Sequence, residues 1–431
     1  MSEGRFAGID WASEEHAVCV VDEHARMVEG RRYRHEERGI KALCGRLVGL
    51  GVELVAIERP DGLLIERLLD AGLSVIAVHP NQVVASRPRF TAAGGKSDNF
   101  DAFVLAELAR TDSHRFRVLK PDSDRTKALR AMCRGREDLV RARQALGRQL
   151  CAQLECFWPG ATKVFCEIDS PIALAFLERY PSPVDARYLG EQRLAAFLDR
   201  HGYSGGREPR ELLARLRAAA HGRAGELEVN ARRQIVLALV AALKPLGERI
   251  EQLRLEIRQA VLDHPDGDTF RSLFIDDRTV LCPATILAEM GDRRERYPSY
   301  RELAADAGQA PVAVESGKSK RARFRWACDH RLRNAINTLA DSSRHHNPWA
   351  KDIYARARQR GCTHQHATRI LGRAWCQIIW RIWHDHDTYA PGKHTALQRL
   401  VTTTGAPEHQ PTHPRMKTRH SAQRQATAPG G

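Results

Sequence analysis

Two apolar strand patterns stand back to back at the start of the chain, and the first ends on a carboxylate. Arg5-Phe-Ala-Gly-Ile-Asp10 reads as a buried strand, and Ala17-Val-Cys-Val-Val21 as a second after a short turn of small and polar residues. A third pattern, Val52-Glu-Leu-Val-Ala-Ile57, closes on Glu58, and Pro60 stops it. Asp98 and Asp101 stand three apart at the start of the helical stretch 98–108, so their side chains share one face of its first turn. The patterning predicts strands near 5–10, 16–22, 27–33, 53–58 and 73–78, and helices near 37–50, 61–71, 80–88 and 98–110. This alternation makes residues 1–112 an α/β domain.

Two neighbouring strands with an acid on the first are the opening of an RNase H-like sheet, in which strand ends and a helix start converge at one edge. Four carboxylates gathered there, Asp10, Glu58, Asp98 and Asp101, repel one another and are stable together only around a hard cation with oxygen ligands. Mg²⁺, or Mn²⁺, is the natural candidate, and two such ions roughly 4 Å apart activate the attacking oxygen and stabilise the leaving one. Any single one of these acids reads as well as a solvated group, and Asp98 as a helix cap. All four together at element ends favour the metal site.

A chain of 431 residues exceeds one compact core and points to two or three domains. Its 68 Lys and Arg against 53 Asp and Glu give a net charge of +15, which fits a polyanionic partner. No run of about 18 apolar residues and no leader-like hydrophobic run appears, so the expectation is a cytoplasmic protein without a membrane partner, acting at the nucleoid. The ten cysteines lack paired spacing, and Cys19, Cys282 and Cys376 fall in apolar runs, as reduced buried thiols do.

Residues 113–265 read as an Arg-rich helical linker. Leu129, Met132, Leu139, Leu146, Leu150 and Leu154 form one stripe, with Arg130, Arg134, Arg141 and Arg148 on other faces. After a broken stretch at 159–225, Leu243, Leu246, Ile250, Leu253 and Ile257 alternate three and four apart, as in a coiled coil. Dimerisation through this stripe and antiparallel pairing within the chain are equal readings. Residues 266–390 form a mainly helical domain. Within it, Ser316 sits beside Gly317 in a cationic loop with Lys318, Lys320, Arg321, Arg323 and Arg325. Glycine permits close backbone approach to a phosphate and the cations supply charge. These cations, with Arg134 and Arg141, are the candidate nucleic-acid contacts. Serine is a poor nucleophile unless a base or metal activates it, so spacing alone makes Ser316 a phosphate-contacting or turn residue. Phe324 and Trp326 are either base-stacking aromatics or the buried side of an amphipathic helix. Cys362, His364 and His366 lack a fourth zinc ligand and read as surface or phosphate-contacting groups. Residues 391–431, with Glu408 as the one acid, form a disordered basic tail adding at most electrostatic grip.

Taken in order, these segments resemble the DEDD transposases of bacterial insertion sequences, the IS110 family. The resemblance rests on Gly8-Ile-Asp-Trp-Ala12, Ala56-Ile-Glu-Arg-Pro-Asp-Gly62, Val78-His-Pro-Asn-Gln-Val83, Gly95-Lys-Ser-Asp-Asn-Phe-Asp-Ala102 and Arg110-Thr-Asp-Ser-His-Arg115. In the second half it rests on Leu287-Ala-Glu-Met-Gly-Asp292, Ala310-Pro-Val312, Ser316-Gly-Lys-Ser319 and Asn347-Pro-Trp-Ala350.

The resemblance implies a RuvC-like N-terminal domain and a C-terminal transposase domain. It places a metal-binding tetrad on Asp10, Glu58, Asp98 and Asp101 and a nucleophilic serine on Ser316. It further implies recombination through a covalent phosphoserine link to donor and target DNA, guided by a noncoding bridge RNA, in a dimer or tetramer. Where such proteins carry a Gly-rich helix-hairpin-helix turn, this chain has Phe274-Ile-Asp-Asp-Arg-Thr-Val-Leu-Cys-Pro283, whose acids oppose a phosphate. Two other functions fit parts of the pattern. A metal-dependent nuclease or Holliday-junction resolvase using water would leave Ser316 dispensable, and a noncatalytic nucleic-acid binder would tolerate loss of Asp10.

Overall fold

The structure, a computed structural model, describes residues 4–397 and 399, apart from 60–61, 92–95, 221–223, 276–279 and 317–318. It divides into two units, residues 1–122 and 123–431. The first holds strands β1 (Arg5–Asp10), β2 (Glu15–Asp22) and β3 (Met27–Arg34), helix α1 (Glu37–Gly49), β4 (Val52–Ile57), α2 (Leu63–Asp70), β5 (Val75–Ala77), α3 (Pro80–Ser86) and α4 (Asp98–Asp112). The strands lie in the order β3-β2-β1-β4-β5. β1 is antiparallel to β2, β2 to β3, and β1, β4 and β5 run parallel.

Strand periodicity assigns the two faces. Ala7, Ile9, Val18, Val20, Val55 and Ile57 share a core with Ile40, Leu43 and Leu47 of α1 and Leu64, Ile65 and Leu68 of α2. On the opposite face, Leu54 and Ala56 pack with Val104, Leu105 and Leu108 of α4, and Ala17, Cys19 and Val21 with its Ala102 and Ala106. α4 is buried almost all round from Asp101 to Ala109. Its seating depends on Gly8. A Cβ there would lie 2.0 Å from the Ala102 carbonyl oxygen and 2.3 Å from the Ala106 nitrogen, so the helix backbone rests directly on β1. The edge strand β3 exposes Arg31, Arg32 and Arg34, charges that discourage pairing with another chain. This unit runs past residue 112 because the chain returns to the sheet: Val118 bridges Ile76, and the Leu119 amide donates to the Val75 carbonyl at 2.7 Å.

The second unit contains α5 (Asp124–Phe157), α6 (Pro171–Arg179), α7 (Glu191–Arg200), α8 (Pro209–Ala218), α9 (Glu226–Leu262), α10 (Gly267–Arg271), α11 (Leu281–Met290) and α12 (Tyr300–Asp306). A hairpin, β6 (Val312–Ser316) and β7 (Ser319–Arg323), precedes α13 (His330–Ser343), α14 (Pro348–Gln359) and α15 (His364–His384). The two long helices α5 and α9 pair antiparallel within the chain. Leu129 shares a core with Ile257 and Val261 at one end, and Leu150 and Leu154 share another with Val236, Val240 and Leu243. Of the two readings of the heptad-like stripe, the intramolecular one therefore uses Leu243, Ile250 and Ile257, all buried.

Residues 113–265 are not a free linker. The core that holds Leu129 and Ile257 continues through Phe270, Leu287, Leu332, Trp375 and Trp383, so the paired helices and the C-terminal helices are one body. That core also takes in Leu397, fully buried, and His394 stacks edge-on against Trp349 at 4.5 Å. Residues 391–397 thus belong to the folded unit, which corrects the start of the expected tail. Residues 398 and 400–431 lie outside the described residues. All ten cysteines are free thiols, with Cys19, Cys44, Cys282 and Cys376 buried. Among the described residues, no helix is long and apolar enough to cross a membrane.

Candidate active site

The acids of the first unit meet because of strand parity. Phe6, Gly8 and Asp10 alternate with Ala7 and Ile9, so Asp10 falls on the face that carries α4. On β4 the same rule groups Glu58 with Leu54 and Ala56. The register of the parallel pair ends at Ile9 opposite Ile57, and each acid is the next residue along its strand. Asp98 and Asp101 occupy the first turn of α4, where Ser97 caps the helix by accepting from the Phe100 amide. Gly8 brings that helix onto β1 one turn away. The residues that follow the strand-end acids also touch: the Arg59 guanidinium stands 4.2 Å from the centre of the Trp11 ring.

The acids act on one another electrostatically. The Asp10 carboxyl is pushed up to about 6 by burial, then by the charges of Asp101, Glu58 and Asp98, with Lys96 opposing. Glu58 is also raised, by burial and then Asp101, while Arg87, Lys96 and His79 pull it down. Asp101 is 3% exposed and gives both oxygens to Arg87, whose Nε and Nη2 donate at 2.7 and 2.8 Å. The exposed Asp98 accepts from Arg32 at 3.3 Å. Among the described residues no three acidic, histidine or cysteine side chains close tightly enough to enclose an ion. The cluster is an open group of like charges in which two members lean on arginines. Arg87 escaped the sequence reading, because a long side chain that folds back onto an acid leaves no mark in spacing.

In the second unit Ser316 lies on the hairpin, where a loop was expected. It ends β6, pairs with Ser319 across the ladder and is exposed. The one available signal was Gly317-Lys318 as a turn pair between two five-residue runs, without the alternation that marks a half-buried strand. Lys318 lies outside the described residues. Lys320 pairs with Glu315 in the backbone ladder, and Arg321 and Arg323 are exposed on β7. Arg325 donates to the Ala310 carbonyl at 3.1 Å. Arg134 has a different use from the one expected: its Nε and Nη2 donate at 3.0 and 2.7 Å to Glu289, which is buried. The Arg134 side chain, 35% exposed, is thus already engaged with a carboxylate. Arg141 is paired with Glu137 and Asp138 on the surface. His364 accepts from or donates to the Tyr354 hydroxyl at 2.9 Å at the start of α15. The unusual acids of the 274–283 segment, Asp276 and Asp277, lie outside the described residues.

Comparison with known proteins places both halves in one context. Residues 7–159 match a DEDD family model of the IS110 type described as a transposase, and residues 280–355 match one described as a transposase of the IS116/IS110/IS902 family. A protein assigned to IS117 of Streptomyces coelicolor as its mini-circle transposase is 31% identical over 85% of this chain and 90% of its own length. An uncharacterized 42 kDa protein of insertion element IS900 from Mycobacterium paratuberculosis is 26% identical over 92% of this chain and 100% of its own. An uncharacterized 43.6 kDa protein of insertion element IS110 from Streptomyces coelicolor is 25% identical over 90% and 95% respectively.

Proposed function

The chain belongs to the IS110 family of insertion-sequence transposases, and on that premise we propose that it cuts and rejoins DNA through a phosphoserine link on Ser316, with Asp10, Glu58, Asp98 and Asp101 as its metal-binding acids. The observation that carries this reading is the placement of the four acids toward one end of the sheet, where Asp10 is lifted to about 6 by burial first and then by the charges of Asp101, Glu58 and Asp98. The strand order β3-β2-β1-β4-β5, with its antiparallel first half and parallel second half, supports an RNase H-like, RuvC-like assignment of the first unit.

The donor set suits a hard divalent cation, Mg²⁺ or Mn²⁺: carboxylate oxygens only, although Asp98 and Asp101 are each hydrogen-bonded to an arginine that the ion would have to displace. Held by these acids, such an ion supplies positive charge to the scissile phosphate and to the attacking oxygen. The remaining steps fall to the protein. Ser316, exposed at the end of β6, presents its Oγ to phosphorus. As the Oγ–P bond forms, the bond to the 3′ oxygen breaks, and a 3′-hydroxyl is freed. The serine proton passes to a base, and a proton is returned to the departing 3′ oxygen. Attack by a 3′-hydroxyl of the partner strand on the phosphoserine reverses the step and restores Ser316. Arg321 and Arg323, on the strand after the serine, hold the phosphate backbone. We further propose a bridge RNA as the guide and a dimer or tetramer as the working form.

Asp10→Asn and Glu58→Gln test the acids. Each variant, given Mg²⁺, RNA from the element's flank and labelled donor DNA, is expected to cut about 10³-fold more slowly or not at all while still binding DNA. Cutting at the wild-type rate would overturn the assignment.

A further inference from the structure

The loop that follows the hairpin carries an indole whose exposure nothing in the fold explains. Trp326 is 76% exposed, although it is one of the most costly side chains to leave in water. It is not the buried face of a helix, because residues 324–326 lie between β7 and α13 without helical structure.

Its backbone is nevertheless fixed. The Trp326 carbonyl accepts from Arg333 Nη2 at 3.4 Å and meets His330 Nε2 at 3.3 Å, and the Arg325 carbonyl accepts from Arg333 as well. Arg333 can reach this point because it lies over Gly308, where a Cβ would come within 2.4 Å of its Nε. Beneath the indole, Phe324 meets it edge-on at 4.7 Å. The Phe324 ring is itself contacted by Arg333 at 4.7 Å and Arg369 at 4.8 Å from its centre. The result is an open aromatic plate resting on a ring that Arg333 and Arg369 flank, a few residues along the chain from the exposed Arg321 and Arg323.

We propose that Trp326 is a stacking platform for an unpaired base of the DNA strand being cut. A plate of this kind suits a flat π-face, and cations around it suit the phosphates on either side of that base. A protein partner would call for an apolar rim, whereas the ring beneath the plate is flanked by the guanidiniums of Arg333 and Arg369. Duplex DNA keeps its base faces covered, so the platform selects a base that strand opening has freed. The DNA assignment rests on the reading of Ser316 as the nucleophile, since Ser316 ends β6, whose partner β7 leads into the Trp326 loop, and both would act on one strand.

The test compares wild type, Trp326→Ala, Trp326→Phe and Ser316→Ala in the full chain, using single-stranded DNA containing 2-aminopurine, the same strand as RNA, and a duplex. Trp326→Ala is expected to weaken single-stranded DNA binding about tenfold or more and to abolish 2-aminopurine quenching. Trp326→Phe should retain most of both, and duplex binding should not change. Unchanged single-strand affinity and quenching in Trp326→Ala would overturn the platform, as would equal losses on single strand and duplex. A larger loss on RNA than on DNA would overturn the choice of DNA. Ser316→Ala separates the two ideas: it leaves stacking intact whether or not Ser316 is the nucleophile, so failure of the serine reading shows as a wild type that quenches 2-aminopurine yet forms no covalent adduct with DNA.

Discussion

Asp101 gives both its oxygens to Arg87, so a cation entering the acid cluster competes with a guanidinium for that carboxylate. Arg87→Gln should therefore tighten Mn²⁺ binding about fivefold, the equivalent of roughly 1 kcal/mol of competing ion pair. Electron paramagnetic resonance of bound Mn²⁺ reads this directly, and equal or weaker binding would show that Arg87 does not compete. Asp10 gives the pH dependence. Its carboxyl titrates near 6 in the folded chain and near 3.8 when unexposed to these neighbours, so the fold takes up a proton between those values. In the metal-free protein the stability that this proton contributes is present below about 3.8 and is lost as pH rises through about 6. Mg²⁺ relieves the charged state, so it should raise the melting temperature clearly at pH 8 and little at pH 5. An equal rise at both would count against Asp10 as a ligand. The acids themselves were legible in the sequence because each stands at an element end, a position that pattern reveals. Their arginine partners were not, and neither was the pairing of Arg134 with Glu289, because a long side chain's destination is decided by tertiary packing.

The elements were read closely where periodicity is strong. β1, β2, β4 and α4 each alternate or repeat cleanly, and their predicted spans differ from the observed ones only at the ends. The seating of α4 on β1 hangs on a single absent side chain. Gly8→Ala would drive a Cβ into the Ala102 carbonyl, and the backbone on one side must move. The expected cost is about 3 kcal/mol or more, seen as a lower denaturation midpoint, together with loss of Mn²⁺ binding as Asp98 and Asp101 shift away from Asp10. Full stability in this variant would mean that helix and strand are not so closely apposed. The hairpin β6–β7 was missed because its strands are short and exposed, so no buried face marked them. The long helices were found, but whether their apolar stripe faces a second chain or a second helix is invisible in a heptad pattern. Within the chain, part of that stripe packs on the neighbouring helix, Leu129 with Ile257 at one end and Leu150 with Val240 toward the other.

At the level of the whole molecule, the boundaries were the least legible feature. The first unit reaches Asp122 because a short return strand segment rejoins the sheet, and the helical remainder forms one unit because its two cores share the α5–α9 pair. Composition marks neither event. Charge was more informative: +15 over the chain fits a protein that works on DNA, as a transposase does. The account stands or falls on Ser316 forming a covalent bond. The decisive measurement is a denaturing gel of wild type and Ser316→Ala incubated with Mg²⁺, RNA from the element's flank and labelled donor and target DNA. A labelled protein–DNA adduct in wild type that disappears in Ser316→Ala is the predicted result. Cut DNA without an adduct in either protein would contradict it and identify water as the nucleophile.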